Sequence, residues 1–246
     1  MLTLREGVEF FHIAFLGELG VKLDKARYAL KGGCNLRFFY NSPRYSEDLD
    51  VDVGTVSVGT LKGNLSKVLE GKALRTTLRA SGIEILSISL PKQTETTQRW
   101  KLGLRIGTLS AHTKVEFSRR DLESGRRLDP IAPAIVAGYG LTPVLVSHYD
   151  RATALAQKCH ALVGRSETQA RDVFDLDLLL AGAQLSSSLS AEIAEAAAER
   201  ALSLDFGAFR SQVVAYLPAT QQPAYSTPEV WTDMQLRVAS AVRGSS

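Results

Sequence analysis

The sequence predicts an α+β fold, with a mixed sheet and helices over about residues 1–127 and a C-terminal helical bundle over 128–246. Three observations predict it. Short apolar or alternating runs of strand type crowd between Tyr28 and Phe117, interleaved with stretches of helical period. Pro130, Pro133, Gly138, Gly140 and Pro143 then punctuate a connecting stretch. Beyond His148 the apolar patterns are helical throughout.

The elements follow in order. Val8, Phe11, Phe15, Leu16 and Leu19 give a helix over Glu6–Gly20, stopped by the glycine. Tyr28–Leu30 is a short apolar strand running into Gly32-Gly33. Cys34–Tyr40 is helical and ends at Asn41-Ser42-Pro43. Leu49–Val53 alternates leucine and valine with aspartate, a strand with one polar face. Leu61, Leu65, Val68, Leu69 and Leu74 set one helix over about Val58–Ala80. Ile83–Leu90, Trp100–Leu109 and Thr113–Phe117 are further strands, with Pro91–Arg99 a polar connection and Ser110–His112 a tight link. In the second half, helices are expected around Leu155–Leu162, Val173–Leu180, Ser190–Leu202, Phe206–Tyr216 and Pro228–Ala239.

Composition narrows the function classes. Of the 246 residues, 45% are hydrophobic and 22% charged, which excludes a chain that is disordered throughout. No apolar run reaches the roughly 18 residues of a membrane span, so no membrane partner is expected. The first 20 residues carry Glu6, Glu9 and Glu18 and no basic start, so no signal peptide is expected. Cys34 and Cys159 cannot build a disulfide framework, and a reducing cytoplasm is the expected compartment. Residues 1–120 hold 19 basic and 12 acidic residues, against 10 and 14 in 121–246. That bias, +7 against −4, fits either a phosphate-rich partner meeting mainly the first half or an uneven spread of charge over a solvated surface.

The chemistry concentrates in Lys31–Val53. Asp48, Asp50 and Asp52 project from one strand face, where mutual repulsion is costly unless water or a cation relieves it. Two carboxylates at i and i+2 can share magnesium together with substrate phosphates. Gly32-Gly33 precedes a helix start, which lets backbone N–H groups approach an anion. Glu116, on the strand Lys114-Val115-Glu116-Phe117, completes a set of three carboxylates if that strand neighbours the Asp48/Asp50 strand. In the second half, Lys158 and Arg165 are spaced to face Asp172 and Asp175, either as a catalytic cluster or as an ion-pair network joining two helices. His12, His112, His148 and His160 have no zinc-ligand spacing, and Trp100 and Trp231 read as core residues. A P-loop and a Gly-X-Ser-X-Gly elbow are both missing from the sequence.

Gly-Gly, a helix, Ser-Glu-Asp-Leu-Asp and then a hydrophobic-Glu-hydrophobic strand together resemble the DNA polymerase β nucleotidyltransferase superfamily. The longer Lys-Gly-Gly-X-X-Leu-Arg-X-X-Tyr…Pro-Arg-X-Ser-Glu-Asp-Leu-Asp, with Lys158, Arg165 and Arg171-Asp172-X-X-Asp175-Leu176 downstream, more narrowly resembles the AbiEii/AbiGii toxin nucleotidyltransferases, the group that includes the MenT toxins. Cys34 stands where that family more often has Thr or Ser.

The resemblance implies a nucleotidyltransferase-fold sheet whose cleft is walled on its other side by the helical part. It implies transfer of a nucleoside monophosphate from an NTP to an acceptor, the 3′ end of tRNA in MenT-like members, with arrest of translation and growth. It implies Mg²⁺ or Mn²⁺ held by Asp48, Asp50 and Glu116, with Glu116 as third ligand or as base on the acceptor hydroxyl. Gly32, Gly33, Arg44, Ser46 and Lys158 would bind the nucleotide, and Asp175 would orient Lys158 or the acceptor. A cognate antitoxin protein is the implied partner. Arg99, Lys101, Arg105, Arg119 and Arg120 are the candidate contacts to acceptor phosphates. The alternatives are a nucleotidyltransferase acting on a small molecule or a protein, and a non-catalytic nucleotide-binding module.

Overall fold

The computed structural model describes residues 1–181 and 190–244 and divides into two compact units. The first comprises Met1–Asn41 and Tyr45–Tyr149; the second comprises Ser42–Arg44 and Asp150–Ser246.

The first unit is built on seven strands: β1 (Tyr28–Lys31), β2 (Asp48–Val53), β3 (Ile83–Gln93), β4 (Thr97–Ile106), β5 (Leu109–Arg119), β6 (Arg126–Pro130) and β7 (Leu145–Tyr149). They form one sheet in the order β3-β4-β5-β2-β1-β7-β6. β2 runs parallel to β5 and β1 parallel to β7; the other neighbours are antiparallel. Leu49, Val51, Trp100, Leu102, Val115 and Phe117 alternate onto one face and are completely or nearly completely buried. Against this core lies α1 (Leu4–Lys22), opened by a capping box between Thr3 and Glu6 and burying Phe10, Phe11, Ile13, Phe15 and Leu16. Helix α2 (Gly32–Phe39) links β1 to the loop before β2, and α3 (Val58–Leu69) and α4 (Lys72–Ala80) connect β2 to β3. A short α5 (Pro133–Gly138) joins β6 to β7.

The second unit contains α6 (Arg151–Gly164), α7 (Ala170–Leu180), α8 (Ala191–Leu202), α9 (Phe206–Gln212) and α10 (Pro228–Arg243). Ala194, Ala197, Ala198 and Ala201 form a buried stripe on α8, and small side chains there let α10 approach closely. Trp231 stacks on Phe209 with centroids 4.4 Å apart, and its indole N–H donates to the Leu204 carbonyl.

The structure departs from the sequence reading at four places. Glu70 and Gly71 divide the expected 58–80 helix into α3 and α4; Gly71 is the N-cap of the second. A Cβ at Gly71 would sit 2.6 Å from the Lys67 carbonyl oxygen. The expected polar connection 91–99 is mostly strand, because β3 and β4 continue as a ribbon closed by a turn at Thr94–Thr96. Ser110–His112 lies within β5 rather than linking two strands, the chain reversing instead at Gly107, which has φ +59°. Finally, β6 and β7 extend the sheet, so the first unit runs to Tyr149 instead of ending near Arg127. Both strands are five residues long, and β6 ends in Pro130 at the sheet edge, where no ladder donor is required.

Candidate active site

The first unit gathers six of the predicted residues around β2. β1 passes into α2 without a loop because Gly32 takes a left-handed conformation, φ +66°. A Cβ on Gly32 would stand 3.2 Å from Asp50 Oδ2, so the glycine also keeps space beside that carboxylate. Gly32 and Gly33 are the first two residues of α2, and no side chain caps their end of the helix. Ser46 donates its hydroxyl to the Asp48 carbonyl oxygen at 2.9 Å, bracing the entry to β2.

Register then sets the carboxylates. Asp48 pairs with Lys114 and Asp50 with Glu116 across the parallel β2–β5 ladder; Lys114 and Glu116 pair with Lys101 and Arg99 of β4. Lys31 of β1 lies opposite Asp50 on the other side. In-register partners share a face, so the polar side of the sheet carries two charged rows. One row is Arg99, Glu116, Asp50 and Lys31; the other is Lys101, Lys114 and Asp48.

The carboxylates have different surroundings. Asp48 is partly exposed and meets Lys114 Nζ at 2.9 Å. Glu116 is held by Arg99 Nε at 2.5 Å. Asp52, fully buried, contacts Lys31 Nζ at 2.5 Å, accepts a 3.0 Å hydrogen bond from the Tyr149 hydroxyl, and has Arg120 Nε at 3.4 Å. Asp50 makes neither an ion pair nor a side-chain hydrogen bond with any described residue. Burial raises its pKa, Lys114 opposes that rise and the neighbouring Asp48 adds to it. Among the described residues no group of three or more His, Cys, Asp or Glu side chains is placed to hold a metal ion. Asp48 and Asp50 do fit a hard cation that keeps waters and substrate phosphates as its other ligands. Their donors are all oxygen, Asp50 has no ion-pair or hydrogen-bond partner among the described residues, and Gly32 leaves the space beside it open.

Behind this face lies a polar relay not foreseen from the sequence. His12 of α1, buried in the core, places Nε2 2.8 Å from Thr113 Oγ1 and Nδ1 3.5 Å from Cys34 Sγ. Thr113 donates its single hydroxyl proton to the Glu47 carbonyl at 2.7 Å, so it accepts from His12, which fixes the Nε2–H tautomer. Cys34 Sγ also lies 3.3 Å from the Asp48 carbonyl oxygen. Burial pushes His12 down to about 3 and holds the Cys34 thiol well above its ordinary value, so both are neutral. The relay therefore anchors the two backbone carbonyls at the start of β2. The Cys34 position faces the core, which accounts for its tolerating a thiol. A buried histidine amid the apolar residues of α1 has no local signature in the sequence.

The remaining three predicted residues belong to the second unit. Lys158 Nζ lies 2.9 Å from Asp172 Oδ1 and 2.6 Å from Asp175 Oδ2. Arg165 Nε is 2.9 Å from Asp172 Oδ2, and Arg44 Nη2 is 3.1 Å from Asp175 Oδ2. Both aspartates are fully buried. Burial alone would lower Lys158 and raise Asp175. The charges of Asp175 and Asp172 outweigh it for Lys158, which rises, and those of Arg44 and Lys158 outweigh it for Asp175, which falls. Three cations thus share two carboxylates, the ion-pair network foreseen as one alternative, with Arg44 as an added member.

Of the five cations expected to meet an acceptor, four are engaged within the first unit. Arg99 holds Glu116, Arg105 pairs with Glu84, Arg119 donates to Gln98 and to the Val56 carbonyl, and Arg120 approaches Asp52. Lys101 makes no ion pair or side-chain hydrogen bond with a described residue.

Residues 14–239 match the family described as nucleotidyl transferase AbiEii toxin, type IV toxin–antitoxin system. The chain belongs to the AbiEii nucleotidyl transferase toxin family. Its fold agrees: JHP933 from Helicobacter pylori superposes with a TM-score of 0.63 at 18% identity, over 99% of this chain and 95% of that one. MenT4, a nucleotidyltransferase toxin of Mycobacterium tuberculosis, superposes with a TM-score of 0.58 at 20% identity, over 96% of this chain and 87% of that one. No curated protein matches the sequence of this chain. No helix among the described residues is long and apolar enough to cross a membrane.

Proposed function

We propose that this chain transfers a nucleoside monophosphate from an NTP to the 3′ end of tRNA, and that a cognate antitoxin protein restrains the resulting block of translation. The observation that carries the reading is the Asp48/Asp50 pair on one strand face beside the glycine-initiated end of α2, with Asp50 left without a side-chain partner among the described residues. Asp48 and Asp50 would hold Mg²⁺ or Mn²⁺, which when bound supplies charge neutralisation on the phosphate oxygens. Gly32 and Gly33 would meet the nucleotide's phosphates through backbone N–H donors, and Ser46 would join them by turning its one hydroxyl proton from the Asp48 carbonyl to a phosphate oxygen. Arg44 and Lys158 would offset triphosphate charge, and Asp175 would orient Lys158.

The acceptor's 3′ oxygen forms the new bond to the α-phosphorus. The bond from that phosphorus to the α–β bridging oxygen breaks, and pyrophosphate leaves. Glu116, in register with Asp50 and held by Arg99, would take the acceptor's hydroxyl proton; the third-ligand role expected for it is not carried forward, because no three such side chains among the described residues are grouped to hold a metal. The protein's contribution is mainly positioning and electrostatic stabilisation. The test is to incubate the protein with each α-labelled NTP, magnesium or manganese and total RNA, and to resolve the products on a gel. Label on tRNA-sized RNA supports the reading. Label on protein or on a small metabolite, and never on RNA, moves the activity to a different acceptor; no transfer to anything leaves a nucleotide-binding module.

A further inference from the structure

An open groove of about 620 Å³ lies on the polar face of the sheet beside Asp48; its lining includes Ser87, Ser89, Lys101, Gly103, His112 and Lys114, and one further carboxylate, Glu47. Register orders its floor. Ser87, Gly103 and His112 form one row across β3, β4 and β5; Ser89, Lys101 and Lys114 form the next, ending at Asp48 of β2. Gly103 makes the hollow: a Cβ there would stand 2.7 Å from Ser87 Oγ. The side chains of Ser87, Ser89, Lys101 and His112 are exposed and make no hydrogen bond or ion pair with any described residue. Lys114 reaches the groove while paired with Asp48.

Strand order places this groove and the α2 terminus on opposite sides of β2. The sequence of neighbours is β3-β4-β5-β2-β1, with α2 following β1. A transferase needs its two substrates to reach one metal-binding pair from different directions, and Asp48 and Asp50 lie between these two surfaces. We propose that the β3–β4–β5 groove is the track for the phosphodiester backbone at the 3′ end of an RNA acceptor. Lys101 meets one phosphate, and Ser87, Ser89 and His112 donate hydrogen bonds to its neighbours. This rests on the nucleotidyltransferase reading above. The donors are strung along two rows and exposed, which suits successive phosphates of a strand rather than one enclosed anion. Among the described residues that line the groove His112 alone carries a ring, so bases are not stacked there and binding is indifferent to sequence.

The experiment measures binding of a fluorescein-labelled rU12 strand against salt, with NTP binding followed in parallel, for the full chain and for Lys101→Glu and Lys101→Glu/His112→Ala. The wild type should bind rU12 with a negative salt slope. Lys101→Glu should weaken it severalfold and reduce the slope by about 0.7, the share of one single-strand phosphate contact. NTP affinity should stay at the wild-type value. Three results overturn the groove: no salt-dependent rU12 binding by the wild type, unchanged rU12 affinity and slope in both variants, or equal losses of RNA and NTP affinity. The labelling assay judges the transferase reading separately, because a wild type that labels RNA while both variants keep full rU12 affinity refutes the groove alone.

Discussion

Replacing Lys158 with methionine removes one cation from the centre of the buried network while keeping the bulk of the aliphatic stem. The ammonium lies within 2.9 Å of Asp172 and 2.6 Å of Asp175, both fully buried. Stripping a partner from a buried ion pair costs about 3–5 kcal/mol, because the remaining charge is left in low dielectric. Here each carboxylate keeps one guanidinium, Arg165 on Asp172 and Arg44 on Asp175, so the loss should fall at the lower end, about 3 kcal/mol. A destabilisation of that size in a unit of roughly a hundred residues lowers its melting temperature on the order of 10–20 °C. Urea denaturation and scanning calorimetry of the full chain read both quantities. A loss under about 1 kcal/mol would refute the argument, since it would mean that the two arginines carry the network alone. The same preparation also separates structure from catalysis. If folded Lys158→Met keeps its specific transfer activity, Lys158 serves the helices only. If activity falls while Lys158→Arg restores stability but little of the activity, the ammonium also meets the nucleotide.

Other expectations follow from the first unit. Asp50→Asn should melt no lower than wild type, because burial already disfavours the charged form, while transfer falls on the order of a hundredfold or more in a gel assay. Gly32→Ala should cost about 1–2 kcal/mol for the left-handed backbone and weaken metal-dependent nucleotide binding by crowding Asp50, as titration calorimetry with NTP and manganese would report. His12 is neutral when folded and held down to about 3, so the unfolded chain takes up its proton first as pH falls from 6.5. Stability should therefore drop by about 2 kcal/mol between pH 7 and pH 5, and His12→Gln should lack that component in urea titrations. Asp175 has the opposite sign: its lowered pKa gives stability that is complete above the ordinary carboxylate range and lost as pH falls through the native value. Asp175→Asn should flatten the acid limb of a thermal-melt profile below about pH 4.

The sequence determined the parts of this protein that depend on near neighbours. Alternating Asp48, Asp50 and Asp52 place three carboxylates on one strand face because the side-chain period is two. Gly32-Gly33 before a helical stretch marks the strand-to-helix turn, since a left-handed residue there needs to lack a Cβ. The spacing of Lys158, Arg165, Asp172 and Asp175 already foretold charges meeting across two helices.

Tertiary structure decided which neighbour each charge receives. Only the parallel β2–β5 register brings Glu116 opposite Asp50, across 66 residues of chain. Only the β1–β2 pairing gives Asp52 to Lys31 while Asp50 is left without a side-chain partner among the described residues. Arg44, far from α7 in sequence, joins Asp175; His12, within an apolar helix, braces the start of β2; β6 and β7 lengthen a sheet whose expected limit was Arg127. Periodicity fixes the face to which a side chain points, but its partner across the sheet or between helices is set by long-range pairing, which leaves no mark in the local pattern.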